Sequence, residues 1–126
     1  MKFFLSICTF IFTFNVLAHN NVEAHTAKDY LNQAAKYYNN QQYIQALNLS
    51  KKALSVSLTN NDEYHLALSY NLIGSIYNEF SQTERSLKFY TKALAYANKV
   101  NNDTLRLWVN SNIGNVYYYH DIDFNK

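Results

Sequence analysis

The chain lacks most of the residues that make tight turns and cross-links. Among 126 residues it has no proline, two glycines and one cysteine. Sandwiches and barrels of β-strands need frequent turn residues, so this composition argues against them and favours an all-α fold. The length suits a single domain. Eleven basic and nine acidic residues are scattered along the chain, and no basic patch indicates nucleic acid or an anionic membrane as a partner.

Residues 1–18 are predicted to be a secretory signal peptide. A lysine precedes the apolar run 3–17, and small residues surround the expected cleavage point after Ala18, with cleavage as late as residue 24 as the other candidate. The run is shorter than the roughly 20 apolar residues of a transmembrane anchor. We therefore expect export without later membrane insertion: to the periplasm or cell envelope if the source is bacterial, otherwise by secretion. Cys8 would be removed, which leaves no thiol for a disulfide or a metal.

The rest of the chain repeats itself at a shift of forty residues. Residues 26–65 align with residues 66–105, and 106–126 align with the first half of the same unit. The first two units share nine residues: Ala27/Ala67, Tyr30/Tyr70, Tyr37/Tyr77, Gln42/Gln82, Leu47/Leu87, Lys52/Lys92, Ala53/Ala93, Leu54/Leu94 and Asn61/Asn101. These positions are mostly apolar or aromatic. Each unit is predicted to form two helices, because two sets of residues in unit two follow steps of three or four: Ala67, Tyr70, Ile73, Gly74 and Tyr77, and then Ser86, Leu87, Tyr90, Ala93, Leu94 and Ala97.

Polar residues mark the expected breaks between helices. Ser81 or Thr83 is the predicted N-cap of the second helix in unit two, ahead of Glu84. The linkers 60–62 and 101–103, both Asn-Asn-Asp, are expected to close each unit with capping and turn chemistry in place of proline. The sequence therefore predicts tandem antiparallel helix hairpins.

These hairpins resemble the tetratricopeptide repeat (TPR) family, in a variant with a forty-residue period. The resemblance covers residues 26–126. The chain lacks the proline that often ends the family's unit. The residues that carry it are Tyr70, Ile73, Gly74, Tyr77, Ser86, Tyr90 and Ala93 in unit two; Tyr30, Ala34, Tyr37, Ala46, Ser50 and Ala53 in unit one; and Ile113, Gly114 and Tyr117 in unit three. The resemblance implies a short right-handed α-solenoid.

Both glycines lie inside predicted helices, in the same Ile-Gly-x-x-Tyr setting. Glycine costs a helix about 1 kcal/mol relative to alanine, so something must offset its presence. We expect Gly74 to let the two helices of its hairpin cross closely, opposite Ser86 or Ala93. Ala34 holds the same place in unit one, which indicates that the position requires a small residue.

The two ends of the repeat differ. Leu72, Ile76 and Phe80 form an apolar stripe that is expected to pack on the preceding unit. Unit one has polar residues at the same positions and is therefore predicted to be the N-terminal cap. Residues 106–126 supply only the first helix of a third hairpin. We expect this hairpin to be truncated and further repeats to follow in a longer chain, the alternative being a final helix that faces solvent.

No catalytic or metal-binding motif is present, so we expect neither an enzyme nor a cofactor. The four histidines lack metal-ligand spacing, and no phosphate loop or nucleophile motif occurs. In the TPR family the first helix of each hairpin lines a concave groove. The resemblance thus implies a groove for a peptide or protein, formed by Leu68, Asn71, Ser75, Asn78, Trp108, Ser111, Asn115, Tyr118 and Tyr119. Packing against a further helix is an equal alternative for Trp108 and Tyr118.

The leading expectation is an exported, non-catalytic interaction or scaffold module. The first alternative is the periplasmic sensory region of a longer, membrane-anchored bacterial signalling regulator, whose kinase or DNA-binding output is not within these residues. A second alternative is the accessory scaffold of a secreted enzyme or transporter.

Overall fold

Five α-helices make up the structure. The computed structural model describes the backbone of residues 25–124 and the side chains of residues 25–119. The helices are α1 (Ala27–Asn39), α2 (Tyr43–Thr59), α3 (Glu63–Glu79), α4 (Thr83–Lys99) and α5 (Asp103–Phe124). Only short turns separate them, and residues 25–124 contain no strand. The all-α prediction is confirmed. The predicted signal peptide lies outside the described residues.

All four turns between helices have the same geometry and recur every twenty residues. One residue in each has a positive φ near 55°: Gln41, Asn61, Ser81 and Asn101. In each turn the next amide donates to the carbonyl five residues earlier, as Gln42 N does to Tyr37 O at 2.9 Å and Gln82 N does to Tyr77 O at 2.9 Å. This is the Schellman helix ending, which normally uses glycine. The chain builds it without glycine. Helices α2, α3 and α4 each have 17 residues, so helices and turns of constant length together produce the forty-residue period.

The helix starts alternate between capped and uncapped. Thr26 and Asp29 form a capping box at α1, Asp62 accepts from His65 N at 3.1 Å at α3, and Asn102 accepts from Leu105 N at 2.9 Å at α5. The capping predicted for the Asn-Asn-Asp linkers is confirmed. Helices α2 and α4 begin after glutamines that make no side-chain cap.

The predicted N-cap of α4 is wrong. Ser81 has a φ of 56°, since the Schellman ending needs a left-handed residue at that place. The N-cap position then falls on Gln82, and Thr83 is already the first helical residue.

The helices pack as two hairpins and a fifth helix in two layers. Helices α1 and α2 form the first hairpin, and α3 and α4 form the second. Helix α2 packs on α3, and α4 packs on α5. In the inner layer α1 touches α3 and α3 touches α5, whereas α2 and α4, in the outer layer, do not touch. The second hairpin begins at Glu63 and α5 begins at Asp103, slightly before the boundaries predicted at residues 66 and 106.

The stacking stripe of α3 lies where it was predicted. Ile76 is fully buried, and the ring of Phe80 meets that of Tyr43 edge-on with centroids 6.1 Å apart. In α5 the equivalent of Ile76 is Val116, which is also buried. The equivalent residues of α1 are exposed: Asn32, Lys36 and Asn40. In the described part of the chain, α1 is thus the end helix without a preceding neighbour.

Helices α3 and α4 cross at Gly74, as predicted. The hydroxyl of Ser86 donates to the carbonyl oxygen of Gly74 at 2.8 Å. The nearest side chain is the ring of Tyr90, whose Cδ1 would lie 2.7 Å from a Cβ at position 74. In the first hairpin the same two positions hold Ala34 and Ser50, both fully buried. A smaller residue on the inner helix therefore accompanies a larger one on the outer helix.

The other predicted repeat residues differ in burial. Ala46, Ala53, Tyr70 and Ala93 are buried, while Tyr30 and Tyr77 are half-buried. Stacked pairs cover the second hairpin on both sides of Gly74: Tyr70 with Tyr96, and Tyr77 with Phe89. Tyr37, Gly114 and Tyr117 are exposed.

No described helix combines the length and the apolar character that are needed to cross a membrane.

Candidate functional site

The inner layer consists of α1, α3 and α5, which touch in succession, whereas α2 and α4 do not touch. The resemblance implies a groove on the side of these inner helices. All nine predicted groove residues lie on α3 and α5.

The structure sorts these nine residues into two rows. Positions forty residues apart occupy equivalent places on successive inner helices. Helix periodicity puts Leu68 and Ser75 of α3 on one side, which we call the open row, together with Trp108, Asn115 and Tyr119 of α5. The second row contains Asn71, which α5 contacts, and Asn78 on α3, with Ser111 and Tyr118 at the equivalent places on α5.

Two hydrogen bonds define the second row. The Nδ2 atom of Asn112 on α5 donates to Oδ1 of Asn71 on α3 at 3.0 Å. One unit earlier, the hydroxyl of Tyr38 on α1 donates to Oε1 of Glu79 on α3 at 3.0 Å. Tyr38 is equivalent to Asn78 and Tyr118, so this row makes contacts between neighbouring inner helices.

The groove prediction for Asn71 needs correction. Its side chain is 1% exposed because α5 covers it. Its Nδ2 atom has no hydrogen-bond partner among the described residues. Asn71 therefore joins α3 to α5 and is not accessible to a ligand.

Ser75 is also engaged within the protein. Its hydroxyl accepts from the hydroxyl of Tyr90 at 3.0 Å and donates to the carbonyl oxygen of Asn71 at 3.1 Å. Leu68 is half-buried against the core. On α3, then, the open row is mostly committed to packing.

Helix α5 carries the accessible part of the open row. Trp108 is 52% exposed, Tyr119 is 63% exposed and Asn115 is exposed as well. Tyr118 is also exposed, and its ring meets that of Tyr119 edge-on at 5.5 Å. Trp108, Asn115 and Tyr119 thus present two kinds of aromatic ring and an amide on one side of the helix, with Tyr118 next to them.

The accessible surface is electrically neutral. No charged residue occurs between Leu107 and Tyr119. Arg106, just before this stretch, pairs with Asp103. A ligand on this surface would therefore be held by ring contacts and hydrogen bonds.

Glu79 pairs with two tyrosines, which was not predicted from the sequence. Its two carboxylate oxygens accept from the hydroxyls of Tyr38 and Tyr43, at 3.0 and 3.2 Å. Burial raises the pKa of Tyr38 well above its ordinary value, and the bond to the Glu79 carboxylate adds to this effect. The cluster ties both helices of the first hairpin to α3. At the forty-residue shift Tyr38 aligns with Asn78 and Tyr118, two predicted groove residues. This alignment is the sequence signal that could have identified Tyr38 as part of a contact between inner helices.

Metal chemistry finds no support in the described residues. No group of three His, Cys, Asp or Glu side chains among them is close enough to hold an ion. His65 instead pairs with the Asp62 carboxylate at 2.6 Å, at the start of α3.

Comparison of the chain with models of protein families, with curated proteins and with solved structures found no match. The functional argument therefore depends on the fold, the repeat and the surface described above.

Proposed function

We propose that this chain is an exported, non-catalytic, TPR-like interaction module that binds a peptide or protein segment along the open row of its inner helices. The observation that carries the proposal is the exposure of Trp108 and Tyr119 on one side of α5, with Asn115 between them. Large exposed aromatic residues are frequent centres of protein recognition.

The chemistry of the surface suits an extended peptide. Aromatic rings supply contact area with little loss of side-chain entropy, and an exposed amide can pair with a peptide N–H or C=O group. Because residues 107–119 carry no charge, electrostatic steering contributes little, and we expect an affinity that changes little with salt.

The test uses a random peptide library displayed on phage, selected against the purified chain. We expect the enriched peptides to bind wild type, and Trp108→Ala to weaken that binding at least about tenfold, as loss of a central aromatic contact typically does. The helical circular dichroism signal should persist, since the indole is half-exposed. Collapse of that signal would instead identify Trp108 as part of the core.

The matched control is Leu107→Ala on the same helix. Leu107 is 71% exposed, and helix periodicity turns it about 100° away from Trp108. We expect this variant to bind the selected peptides as wild type does. Equal losses for both variants, or a library that yields no binder, would contradict the proposed site.

The export proposal rests on the predicted signal peptide, which precedes the described residues. Expression in a host with an export pathway should yield a processed chain that begins after Ala18 or after Ala24. Mass spectrometry of the purified protein would identify the cleavage. A chain retained in the cytoplasm with residues 1–18 intact would rule out export.

A further inference from the structure

The charges of the protein are divided unequally between its two layers. The outer helices, α2 and α4, carry one acidic residue, Glu84, and six basic ones: Lys51, Lys52, Arg85, Lys88, Lys92 and Lys99. All six basic side chains are exposed. The inner helices carry four acidic and three basic residues up to Tyr119. The outer layer is therefore basic, whereas the inner layer is close to neutral.

Along the sequence this division is hidden, because helices of the two layers alternate. The basic residues of α2 are followed by Asp62 and Glu63, and those of α4 are followed by Asp103. Folding separates the charges, since it places α2 and α4 in one layer and the starts of α3 and α5 in the other. The outer layer thus forms a basic surface that the scattered charges of the sequence did not indicate.

Most of these cations keep an unbalanced charge. Among the described residues, one of the six forms an ion pair, in which Lys99 Nζ lies 3.6 Å from Glu63 Oε1. The same Nζ atom lies 4.9 Å from the ring centroid of Tyr96, and Lys92 Nζ lies 5.4 Å from that of Tyr70. An aromatic ring orients a lysine side chain but leaves its full charge in place. The outer layer therefore keeps a net positive charge.

Exposed apolar side chains lie on the same layer. Ile44 is 62% exposed and Leu58 is 51% exposed, near the two ends of α2. With Lys51 between them they recur every seven residues, which is about two helical turns and makes one stripe along the helix. Ile44 and Lys51 each lie two positions before a buried alanine, Ala46 or Ala53. The stripe therefore faces outward, away from the core.

We propose that the outer layer binds the surface of an anionic phospholipid bilayer. Five of its six basic residues are lysines, whose compact point charge suits attraction to a field of headgroups better than the fixed two-point contacts of arginine. The cations are spread over two helices that do not touch each other, which suits a continuous surface. Apolar side chains among cations enter the interfacial region of a bilayer. An acidic protein is the competing occupant.

This contact is distinct from the peptide site. Trp108 and Tyr119 lie on α5, which belongs to the inner layer. A protein that docks by α2 and α4 keeps the open row off the lipid. The inference therefore stands or fails independently of peptide binding.

Cosedimentation with phospholipid vesicles tests the proposal on the chain as the expression host processes it. One set of vesicles is phosphatidylcholine, and in the other about a third of the lipid is phosphatidylglycerol, which supplies the anionic surface. At about 0.1 M salt we expect the partition coefficient to be at least about tenfold higher on the anionic vesicles. Raising the salt to about 1 M shortens the Debye length from about 10 Å to about 3 Å and should remove most of this difference.

The decisive variant carries Lys51→Gln and Lys88→Gln together. Each lysine near an anionic surface strengthens binding roughly fivefold, so this variant should bind the anionic vesicles at least about tenfold more weakly. The matched control carries Lys28→Gln and Lys36→Gln on α1, which removes the same charge from two exposed positions of the inner layer. We expect the control to lose less than about twofold, because those lysines lie beyond the Debye length of the bilayer.

Two more measurements fix the orientation of the bound protein. Ile44→Ala should weaken binding to the anionic vesicles at least about threefold through lost apolar contact, whereas Leu107→Ala on α5 should not. Trp108 is the only tryptophan of the chain. Its emission maximum should stay unchanged when anionic vesicles are added, since α5 does not meet the lipid.

Equal binding to the two kinds of vesicle, or equal losses for the two pairs of lysine substitutions, would overturn the proposal. A blue shift of the Trp108 emission on anionic vesicles would contradict the assigned face. Poly-glutamate is the probe for the competing occupant. If it binds wild type but not the variant with Lys51→Gln and Lys88→Gln, while anionic vesicles do not bind, the outer layer recognises an acidic protein and the membrane proposal is wrong.

Discussion

Replacing each glycine by alanine should change stability in opposite directions, although the two sit in the same Ile-Gly-x-x-Tyr sequence. At Gly114 the new methyl meets nothing within 4 Å. Only the helix preference of alanine acts there, and we expect a gain of about 0.5–1 kcal/mol in the free energy of unfolding. At Gly74 the same gain is opposed by the ring of Tyr90.

The Tyr90 ring cannot move aside cheaply. The side chain is 3% exposed, and its hydroxyl donates to Ser75 Oγ at 3.0 Å. The atoms closest to the added methyl are Cδ1, Cε1 and Cγ, at 2.7, 2.9 and 3.1 Å, which form one edge of the ring. Overpacking of this kind costs about 1–3 kcal/mol. After subtraction of the helix preference, Gly74→Ala should destabilise the protein by up to about 2 kcal/mol.

Urea denaturation followed by circular dichroism measures the free energy of unfolding of both variants. Tyr90→Leu supplies the second arm of a double-mutant cycle, because it keeps apolar volume but removes the ring. We expect Gly74→Ala to cost much less in the Tyr90→Leu background, with a coupling energy of about 1–2 kcal/mol. If Gly74→Ala stabilises the chain as much as Gly114→Ala does, the ring is not the reason for glycine at this position.

The helices could be predicted from the sequence because the period repeats and the apolar spacing is regular. The turn and capping roles of the Asn-Asn-Asp linkers could also be predicted, since asparagine tolerates a left-handed backbone and aspartate caps helices. Ser81 and Gln41 gave no such sign, because neither residue favours positive φ. Their role follows only from their spacing of twenty residues from Asn61 and Asn101.

The nine predicted groove residues lie on α3 and α5, but the sequence could not show which of them are accessible, because side-chain burial depends on contacts between distant units. Asn71 is a polar residue on the expected groove side, yet Asn112 reaches it from α5 and closes it off. Glu79 is held by tyrosines from both helices of the first hairpin. Local periodicity assigns a residue to one side of a helix, but it cannot show which neighbour lies above that side.

Three further predictions concern the turns, the contact between units and the response to alkaline pH. Ser81→Gly should stabilise the chain by about 1 kcal/mol, and Asn61→Gly should stabilise it by less. The reason is that a left-handed backbone costs serine more free energy than it costs asparagine. Equal gains in urea denaturation would contradict this reasoning. Asn112→Ala should lower the free energy of unfolding by about 1–3 kcal/mol, since it leaves the buried side-chain amide of Asn71 on α3 without its partner. The control, Ser111→Ala on the exposed side, should change the free energy of unfolding by less than about 0.5 kcal/mol. Tyr38 has a pKa raised above the 10.0 of an ordinary tyrosine, mainly by burial. The folded state therefore favours the neutral phenol: the stability it contributes is present below pH 10 and is lost as the pH rises further. Tyr38→Phe should lower stability at pH 7 by about 1 kcal/mol through the lost hydrogen bond, and it should make the fall in stability above pH 10 less steep. A pH dependence equal to that of wild type would show that this phenol does not resist ionisation in the folded protein.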